Sequence, residues 1–204
     1  MISLEGIDCS GKTTQAALLH RHLGDEALLL REPGGTDAGE AMRELLKDPA
    51  VELDPIAELL LFCAARAELM ARVVRPALER SRDVVLDRFK DSTVAYQGAG
   101  RGLGVELVEG LNAAATGGAE PDVTVLLRID PELAASRGQL RLAGEEASSA
   151  DRFEGEGIDF QRRVAEAYDE LAARHPDRIA VIDAAREVEP VHTDVIEAVE
   201  RTRE

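Results

Sequence analysis

The sequence predicts a doubly wound α/β fold, in which a five-stranded parallel sheet is flanked by helices. Five short apolar runs lack the alternation of half-exposed strands, which indicates strands covered on both faces. Helical patterns separate these runs, so strand and helix alternate along the whole chain. Because there is no internal repeat and no linker, we expect residues 1–204 to form one domain.

The elements follow one another in order along the chain. Asp54 followed by Pro55 is typical of an N-cap and a first-turn proline, and Pro76 is expected to kink the end of that long helix. The predicted strands span residues 2–4, 27–30, 84–86, 123–129 and 179–182. The predicted helices span residues 13–23, 39–46, 55–80, 104–115, 131–137, 160–174 and 191–203.

Composition limits the classes of partner. Hydrophobic residues make up 45% of the chain and aromatic residues 3%, so the core is expected to be aliphatic. A formal net charge of −16 disfavours binding to polymeric nucleic acid or to an anionic membrane, because both would repel the chain. No apolar run approaches the ~20 residues that span a bilayer, no signal peptide is evident, and two cysteines suit a reducing compartment. We expect a cytoplasmic protein.

A glycine-rich segment directly after the first strand matches the pattern G-x-x-x-x-G-K-[ST] of a phosphate-binding loop. In such a loop backbone N–H groups surround the phosphates, the lysine reaches the terminal ones, and the threonine hydroxyl can ligate Mg²⁺. The alternative is an ordinary glycine turn, but the strand before and the helix after the segment favour the loop. Its residues are Gly6, Ile7, Asp8, Cys9, Ser10, Gly11, Lys12 and Thr13.

Two further segments suggest what else binds near the phosphate loop. The third strand ends in Asp87 and Arg88, where a carboxylate commonly holds Mg²⁺ and an arginine can contact a phosphate. Phe62 and Arg66 lie four residues apart and share one helix face. Phe62 alone suggests a core residue, whereas a ring beside a guanidinium suggests a nucleobase pocket.

The segment of residues 138–157 is rich in Gly, Ser and Glu and shows no apolar periodicity. One interpretation is a surface loop. The other is a lid over the nucleotide, about residues 137–157, because phosphoryl transfer requires exclusion of water and cations near the transferred group. Arg137, Arg141 and Arg152 favour the lid.

Several segments in order along nearly the whole chain resemble those of bacterial thymidylate kinases, within the P-loop nucleoside monophosphate kinases. The sequences R-E-P-G-G-T and A-Y-Q-G are more specific than the phosphate loop. The matching segments are residues 6–13, 31–36, 60–66, 87–89, 92–98, 100–102, 121–122 and 151–154. The resemblance implies a kinase that phosphorylates dTMP with ATP and Mg²⁺, for dTTP synthesis, as a homodimer.

The resemblance also implies roles for individual residues. Asp8 would accept a hydrogen bond from the 3′-hydroxyl of dTMP, Phe62 would stack on thymine, and Arg66 would bind its carbonyl edge. Tyr96 would crowd the 2′ position, with Thr93 and Gln97 near the base. Arg88 would bridge the phosphates, and Thr13 and Asp87 would serve Mg²⁺. Arg43 and Arg101 are weaker candidates for the dTMP phosphate.

One departure concerns the phosphate loop, where some members carry an arginine and this chain carries Cys9. The cation at the transition state must then come from the lid, and Arg137 and Arg152 are the candidates. A thiol among inward-facing amides can also have a lowered pKa, so reactivity of Cys9 is a second hypothesis.

Three alternatives remain open. One is a kinase for another nucleoside monophosphate, against which the base-contacting residues argue. Another is a nucleotide-hydrolysing switch, but the single asparagine, Asn112, does not belong to an N-K-x-D guanine-reading segment. The third is a catalytically silent relative, which the joint presence of Lys12, Thr13, Asp87 and Arg88 disfavours.

Overall fold

A computed structural model describes residues 1–144, 152–153 and 156–203 of the chain. Five strands form one sheet in the order β2-β3-β1-β4-β5, with every neighbouring pair parallel. The predicted strands and their parallel arrangement are confirmed. The strands are β1 (Ile2–Glu5), β2 (Leu28–Arg31), β3 (Val84–Asp87), β4 (Val123–Arg128) and β5 (Ile179–Asp183).

Helices connect the strands, and each predicted helix has a counterpart. The Asp54 side chain accepts a hydrogen bond from the Ile56 amide at 2.8 Å, which confirms the N-cap. The helices are α1 (Lys12–Leu23), α2 (Asp37–Lys47), α3 (Pro55–Leu69), α4 (Arg75–Leu78), α5 (Lys90–Thr93), α6 (Val105–Thr116), α7 (Pro131–Gly144), α8 (Ile158–Arg174) and α9 (Val188–Glu200).

Two π-helical turns were not foreseen. Met70–Val74 lies between α3 and α4, and Val94–Gly100 continues α5. The first lies directly before Pro76, whose ring excludes a regular hydrogen bond to the carbonyl of Arg72 inside that turn. The helix predicted for residues 55–80 is therefore interrupted by a wider turn as well as by its proline. The second turn carries Tyr96 and Gln97, both predicted to be site residues.

The predicted end of the helix at residue 137 is wrong, whereas the lid itself stays a prediction. Helix α7 continues to Gly144, although residues 138–144 were expected to be loop. Gln139, Leu140 and the three residues after them favour helix strongly enough to offset the glycines at either end. Residues 145–151 and 154–155 of the predicted lid lie outside the described residues, and these include the first and last residues of the matching segment 151–154.

Buried aliphatic side chains cover both faces of the central strands β1, β3 and β4. The edge strands β2 and β5 expose Leu29 and Val181, so the prediction of strands covered on both faces is wrong for these two. One cluster includes Leu4, Val85 and Leu127, and the other includes Val84 and Leu86, so successive residues of β3 point to opposite faces. Leu4 of β1 pairs with Asp87 of β3, which brings the two strand ends together at the carboxyl edge of the sheet. Within the part of the chain that the structure describes, no helix is both long and apolar enough to cross a membrane.

Candidate functional site

The phosphate-binding loop leaves β1 through a backbone conformation that requires glycine. Gly6 has a φ of 142°, and a Cβ atom there would lie 2.6 Å from the carbonyl oxygen of Leu127. Gly11, with a φ of 96°, directly precedes α1, whose first turn contains no acidic residue. The positive end of the α1 dipole is therefore free of a local carboxylate and suits an anion.

Lys12 is folded back over this loop. Its Nζ donates to the carbonyl oxygen of Ile7 at 2.7 Å and to Oγ of Ser10 at 3.3 Å. Burial, and then repulsion by Arg88, lowers the pKa of Lys12 to about 8. Negative charge from a phosphate opposes both effects, so the site favours an anion beside this ammonium.

Asp87 and Thr13 form a pair of oxygen donors where β3 meets α1. Thr13 Oγ1 donates to Asp87 Oδ2 at 2.6 Å, and both residues line the same cavity. A hydroxyl and a carboxylate are the hard oxygen ligands that Mg²⁺ prefers, usually with waters and phosphates completing its shell. No group of three or more His, Cys, Asp or Glu side chains suited to a metal occurs among the described residues. The pair thus fits a metal held together with a nucleotide.

Arg88 is held in place by several neighbours at the end of β3. Its φ is 72°, a left-handed conformation that non-glycine residues adopt chiefly at functional sites. The guanidinium donates to the Gly6 carbonyl oxygen at 3.0 Å, to Ser92 Oγ at 3.1 Å and to the Tyr96 hydroxyl at 3.1 Å. It also forms an ion pair with Asp8. The arginine therefore joins the phosphate loop to the segment that follows β3.

Asp8 is ionised in this arrangement. Burial raises its pKa, but attraction to Arg88 and then to Lys12 outweighs burial, and the pKa of Asp8 is lowered. Gln161 of α8 donates to Asp8 Oδ2 at 3.1 Å. An ionised carboxylate in this position can accept a hydrogen bond from a sugar hydroxyl.

Aromatic side chains form the opposite wall of the cavity. The rings of Phe62 and Phe153 lie 5.8 Å apart between centroids, and those of Tyr96 and Phe153 lie 6.4 Å apart. Burial raises the pKa of Tyr96 well above its usual value, so its hydroxyl stays protonated. Gln97 contributes an amide to the same wall. An aromatic wall with one amide suits a nucleobase.

Arg66 and Thr93 lie behind this wall. Arg66 is 2% exposed, and its guanidinium donates to Glu32 at 2.8 Å, to Asn112 Oδ1 at 2.6 Å, to the Phe89 carbonyl oxygen at 3.1 Å and to Thr93 Oγ1 at 2.9 Å. Neither Arg66 nor Thr93 is among the residues that line the cavity. Arg66 thus lies close to Phe62 on the same helix, but its guanidinium donates its hydrogen bonds to protein groups.

The candidate cations outside the phosphate loop fall into two groups. Arg43 donates to the Pro33 carbonyl oxygen at 2.8 Å and lines the cavity, as does Arg137, which donates to the carbonyl oxygens of Ala184 and Ala185 at 2.9 and 3.2 Å. Arg101 and Arg152 are instead paired with Glu58. Of the two arginines predicted to supply the transition-state cation, Arg137 is among the described residues that line the cavity and Arg152 is not.

Both halves of the site belong to one cavity of about 550 Å³. Of the predicted phosphate-loop residues, Asp8, Cys9, Gly11, Lys12 and Thr13 line it, whereas Gly6, Ile7 and Ser10 shape the loop. Asp87, Arg88, Phe62, Tyr96 and Gln97 line it as well. The sequence prediction therefore collected residues that the fold places together.

Sequence reasoning missed three buried carboxylates and an aromatic residue. Glu5 accepts hydrogen bonds from the Phe89 amide at 2.8 Å, from Ser92 at 2.5 Å and from Tyr168 at 2.8 Å. Glu32 and Glu58 hold arginines, and Phe153 lines the cavity. The sequence feature that could have identified two of them is an acidic residue within an apolar segment. Glu5 lies at the end of β1, and Glu58 lies one helical turn before Phe62.

Comparisons with known proteins agree with this geometry. A family model described as thymidylate kinase matches residues 4–195. Thymidylate kinases from Chlorobaculum tepidum and Deinococcus radiodurans are 46% and 44% identical, over 98% and 97% of this chain and 96% and 95% of their own. The crystal structure of thymidylate kinase from Ehrlichia chaffeensis has a TM-score of 0.77 and 33% identity, over 97% of each chain. The chain therefore belongs to the thymidylate kinase family.

Proposed function

We propose that this chain transfers the γ-phosphoryl group of ATP to the 5′-phosphate of dTMP, which yields dTDP for dTTP synthesis. The observation that carries the proposal is the single cavity, which joins the phosphate loop to a base-sized aromatic wall. The relatives named thymidylate kinase support dTMP as the acceptor. A kinase for another monophosphate, a hydrolytic switch and a silent relative have no observation in their favour.

The phosphate loop holds the donor in this proposal. Backbone N–H groups of residues 6–13 and the N-terminus of α1 face the β- and γ-phosphates, and Lys12 turns from the Ile7 carbonyl to them. Thr13 and Asp87 hold Mg²⁺, which neutralises charge on the donor phosphates when bound. Their 2.6 Å separation and shared access to the cavity support this assignment.

The other wall binds the acceptor. Phe62 stacks on thymine, and Asp8 accepts a hydrogen bond from the 3′-hydroxyl of the sugar. Tyr96, whose hydroxyl lies 3.1 Å from Arg88, occupies the side on which a ribose would carry its 2′-hydroxyl. Thr93 and Arg66 act from behind the wall, where Arg66 would have to exchange one protein partner for the base.

Transfer then requires positioning and charge neutralisation. The 5′-phosphate of dTMP is already an anion, so no strong general base is needed, and in-line alignment supplies much of the rate. Arg88 bridges the two nucleotides' phosphates. Arg137, on the cavity wall, approaches the transferred group, while Arg152 supports the acceptor side through Glu58.

Two measurements test the proposal. A coupled ADP-release assay should show dTMP well preferred over dCMP, dGMP and AMP. Lys12→Met should abolish turnover with the fold intact, whereas Lys90→Met, which removes a lysine paired with Glu120 outside the cavity, should retain it. Turnover without an acceptor, or an active Lys12→Met enzyme, would rule the proposal out.

We also propose that the enzyme is a cytosolic homodimer. Helices α3 and α6 pack against each other and both expose apolar side chains, with Ile56 at 39%, Leu60 at 49% and Leu107 at 46%. Pairing of these helices between two copies would cover them. Sedimentation equilibrium should give twice the chain mass, and Leu60→Glu should shift the molecule toward monomer. Cys9 and Cys63 are not joined in a disulfide, which suits a reducing compartment.

A further inference from the structure

Glu58 is a buried acid directly beneath the proposed base-binding wall. It lies one helical turn before Phe62 on α3 and is 1% exposed. A buried carboxylate requires hydrogen-bond partners, and the structure provides three side chains from two distant segments of the chain. Gln97 Nε2 donates to Oε1 at 2.8 Å, Arg101 donates to both oxygens at 3.2 Å, and Arg152 donates to Oε2 at 2.7 Å.

The hydrogen bond to Glu58 fixes the orientation of the Gln97 amide. A side-chain amide has a donor end and an acceptor end, and only the donor end can face a carboxylate. A flipped Gln97 would place its own oxygen against Glu58 Oε1 at hydrogen-bond distance, with two acceptors opposed. Because Gln97 lines the cavity, Glu58 leaves the amide oxygen, Oε1, as the group that an incoming base meets.

The orientation matters because pyrimidines differ in hydrogen-bond polarity. Thymine carries a donor at N3, flanked by two carbonyl acceptors, whereas cytosine carries an acceptor at N3 and a donor amine beside it. An amide oxygen at the N3 position accepts from thymine but opposes the lone pair of cytosine. A freely flipping amide would accept either base and discriminate poorly.

We infer that Glu58 is a positioning residue for base specificity, which fixes the Gln97 amide so that its oxygen selects an N3–H pyrimidine over cytosine. The inference rests on the proposed function and deepens it. Arg101 and Arg152 contribute by holding the Glu58 carboxylate in place through their hydrogen bonds. Through Arg152 the same carboxylate also connects the base wall to the segment that follows α7.

Glu58→Gln is the informative substitution. Of the three partners only Gln97 can change from donor to acceptor, since the arginines only donate. The oxygen of the new amide therefore takes the Oε2 position, where it keeps the bonds from Arg101 and Arg152. Its nitrogen takes the Oε1 position, where the 3.2 Å bond from Arg101 Nε is lost and Gln97 turns its oxygen toward the new donor and its own nitrogen toward the base. We expect the ratio of kcat/KM for dTMP to that for dCMP to fall about tenfold, the weight of one hydrogen bond.

A double-mutant cycle shows whether Glu58 acts through Gln97. Gln97→Met removes the amide and should itself lower the dTMP to dCMP ratio, and adding Glu58→Gln should then change the ratio no further. If Glu58→Gln does not fold, Glu58→Asp keeps the charge for the arginines but withdraws the carboxylate by one methylene, and should lower the ratio too.

The outcomes separate the inference from the proposed function. A wild-type enzyme without a preference for dTMP contradicts the proposed function itself. With that preference present, an equal fall in kcat/KM for dTMP and dCMP in Glu58→Gln means that Glu58 is only structural and overturns the inference. A fall in the ratio that persists unchanged in the Gln97→Met background also overturns it, because Glu58 would then act by another route.

Discussion

Glu5 makes the stability of this protein depend on pH, and Glu5→Gln should remove that dependence. The residue ends β1 directly before the phosphate loop and is fully buried. Burial, and then repulsion by Asp91, raises the pKa of Glu5 from 4.5 to about 7, against smaller opposing effects of Ser92 and Arg88. Lys12, Arg178 and the Tyr168 hydroxyl also face it.

The sign follows from proton binding in the two states. Between pH 4.5 and 7 the unfolded chain has already released the Glu5 proton, whereas the folded protein still holds it. Folded stability is therefore lost as pH rises through this window. Each pKa unit corresponds to about 1.4 kcal/mol, so the contribution falls by about 2 to 3 kcal/mol between roughly pH 5 and pH 8.5. Glutamine imitates the protonated acid, because the hydroxyls of Ser92 and Tyr168 can reverse their hydrogen bonds.

Urea unfolding of both proteins at several pH values measures this difference. The free energy of unfolding of Glu5→Gln minus that of the wild type should increase by about 2 to 3 kcal/mol from pH 5 to pH 8.5. Glu187→Gln, which makes the same change at an exposed position, corrects for loss of a surface charge. A difference that stays constant, or that falls with pH, would refute the reasoning about Glu5.

Three other expectations concern the site and the packing of the fold around it. Because burial and Arg88 lower the pKa of Lys12 to about 8, the affinity for ATP measured by calorimetry should decline above that pH, by at most about tenfold per pH unit. The affinity of Lys12→Met should not change over the same range. An affinity of the wild type that is independent of pH would contradict this expectation. Arg137→Ala should lower kcat by about 10²-fold or more, whereas Arg152→Ala should mainly raise KM for dTMP, and equal effects would argue against our division of roles. A Cβ atom at Gly100 would lie 2.7 Å from a buried phenylalanine ring. Gly100→Ala should therefore lower the free energy of unfolding in urea by about 1–3 kcal/mol. Gly110→Ala is the control, because a Cβ atom there meets no neighbour within 4 Å.

The sequence predicted what depends on local pattern. Apolar runs identified the five strands, and the glycine-lysine loop placed Lys12 and Thr13 beside Asp87, because parallel strands end at one edge of a sheet. The end of α7 was predicted too early because the glycines and serines of residues 138–157 were weighed above the helix formers of residues 138–144. Glu58 and its partner Arg152 are 94 residues apart, and no periodicity relates such positions. Only the tertiary fold decides which arginine a buried acid meets.

The buried carboxylates also explain how a chain with a net charge of −16 binds two polyanionic substrates. Among the described residues, six basic side chains line the cavity against three acidic ones, so the local charge is opposite to that of the whole molecule. Cations gathered this closely repel one another, and burial followed by repulsion from Arg88 lowers the pKa of Lys12. Glu32, which belongs to the lining, pairs with the buried Arg66, and Glu58, which does not, pairs with Arg101, so both carboxylates are balanced by arginines. The lining therefore keeps an excess of cations, which nucleotide phosphates balance.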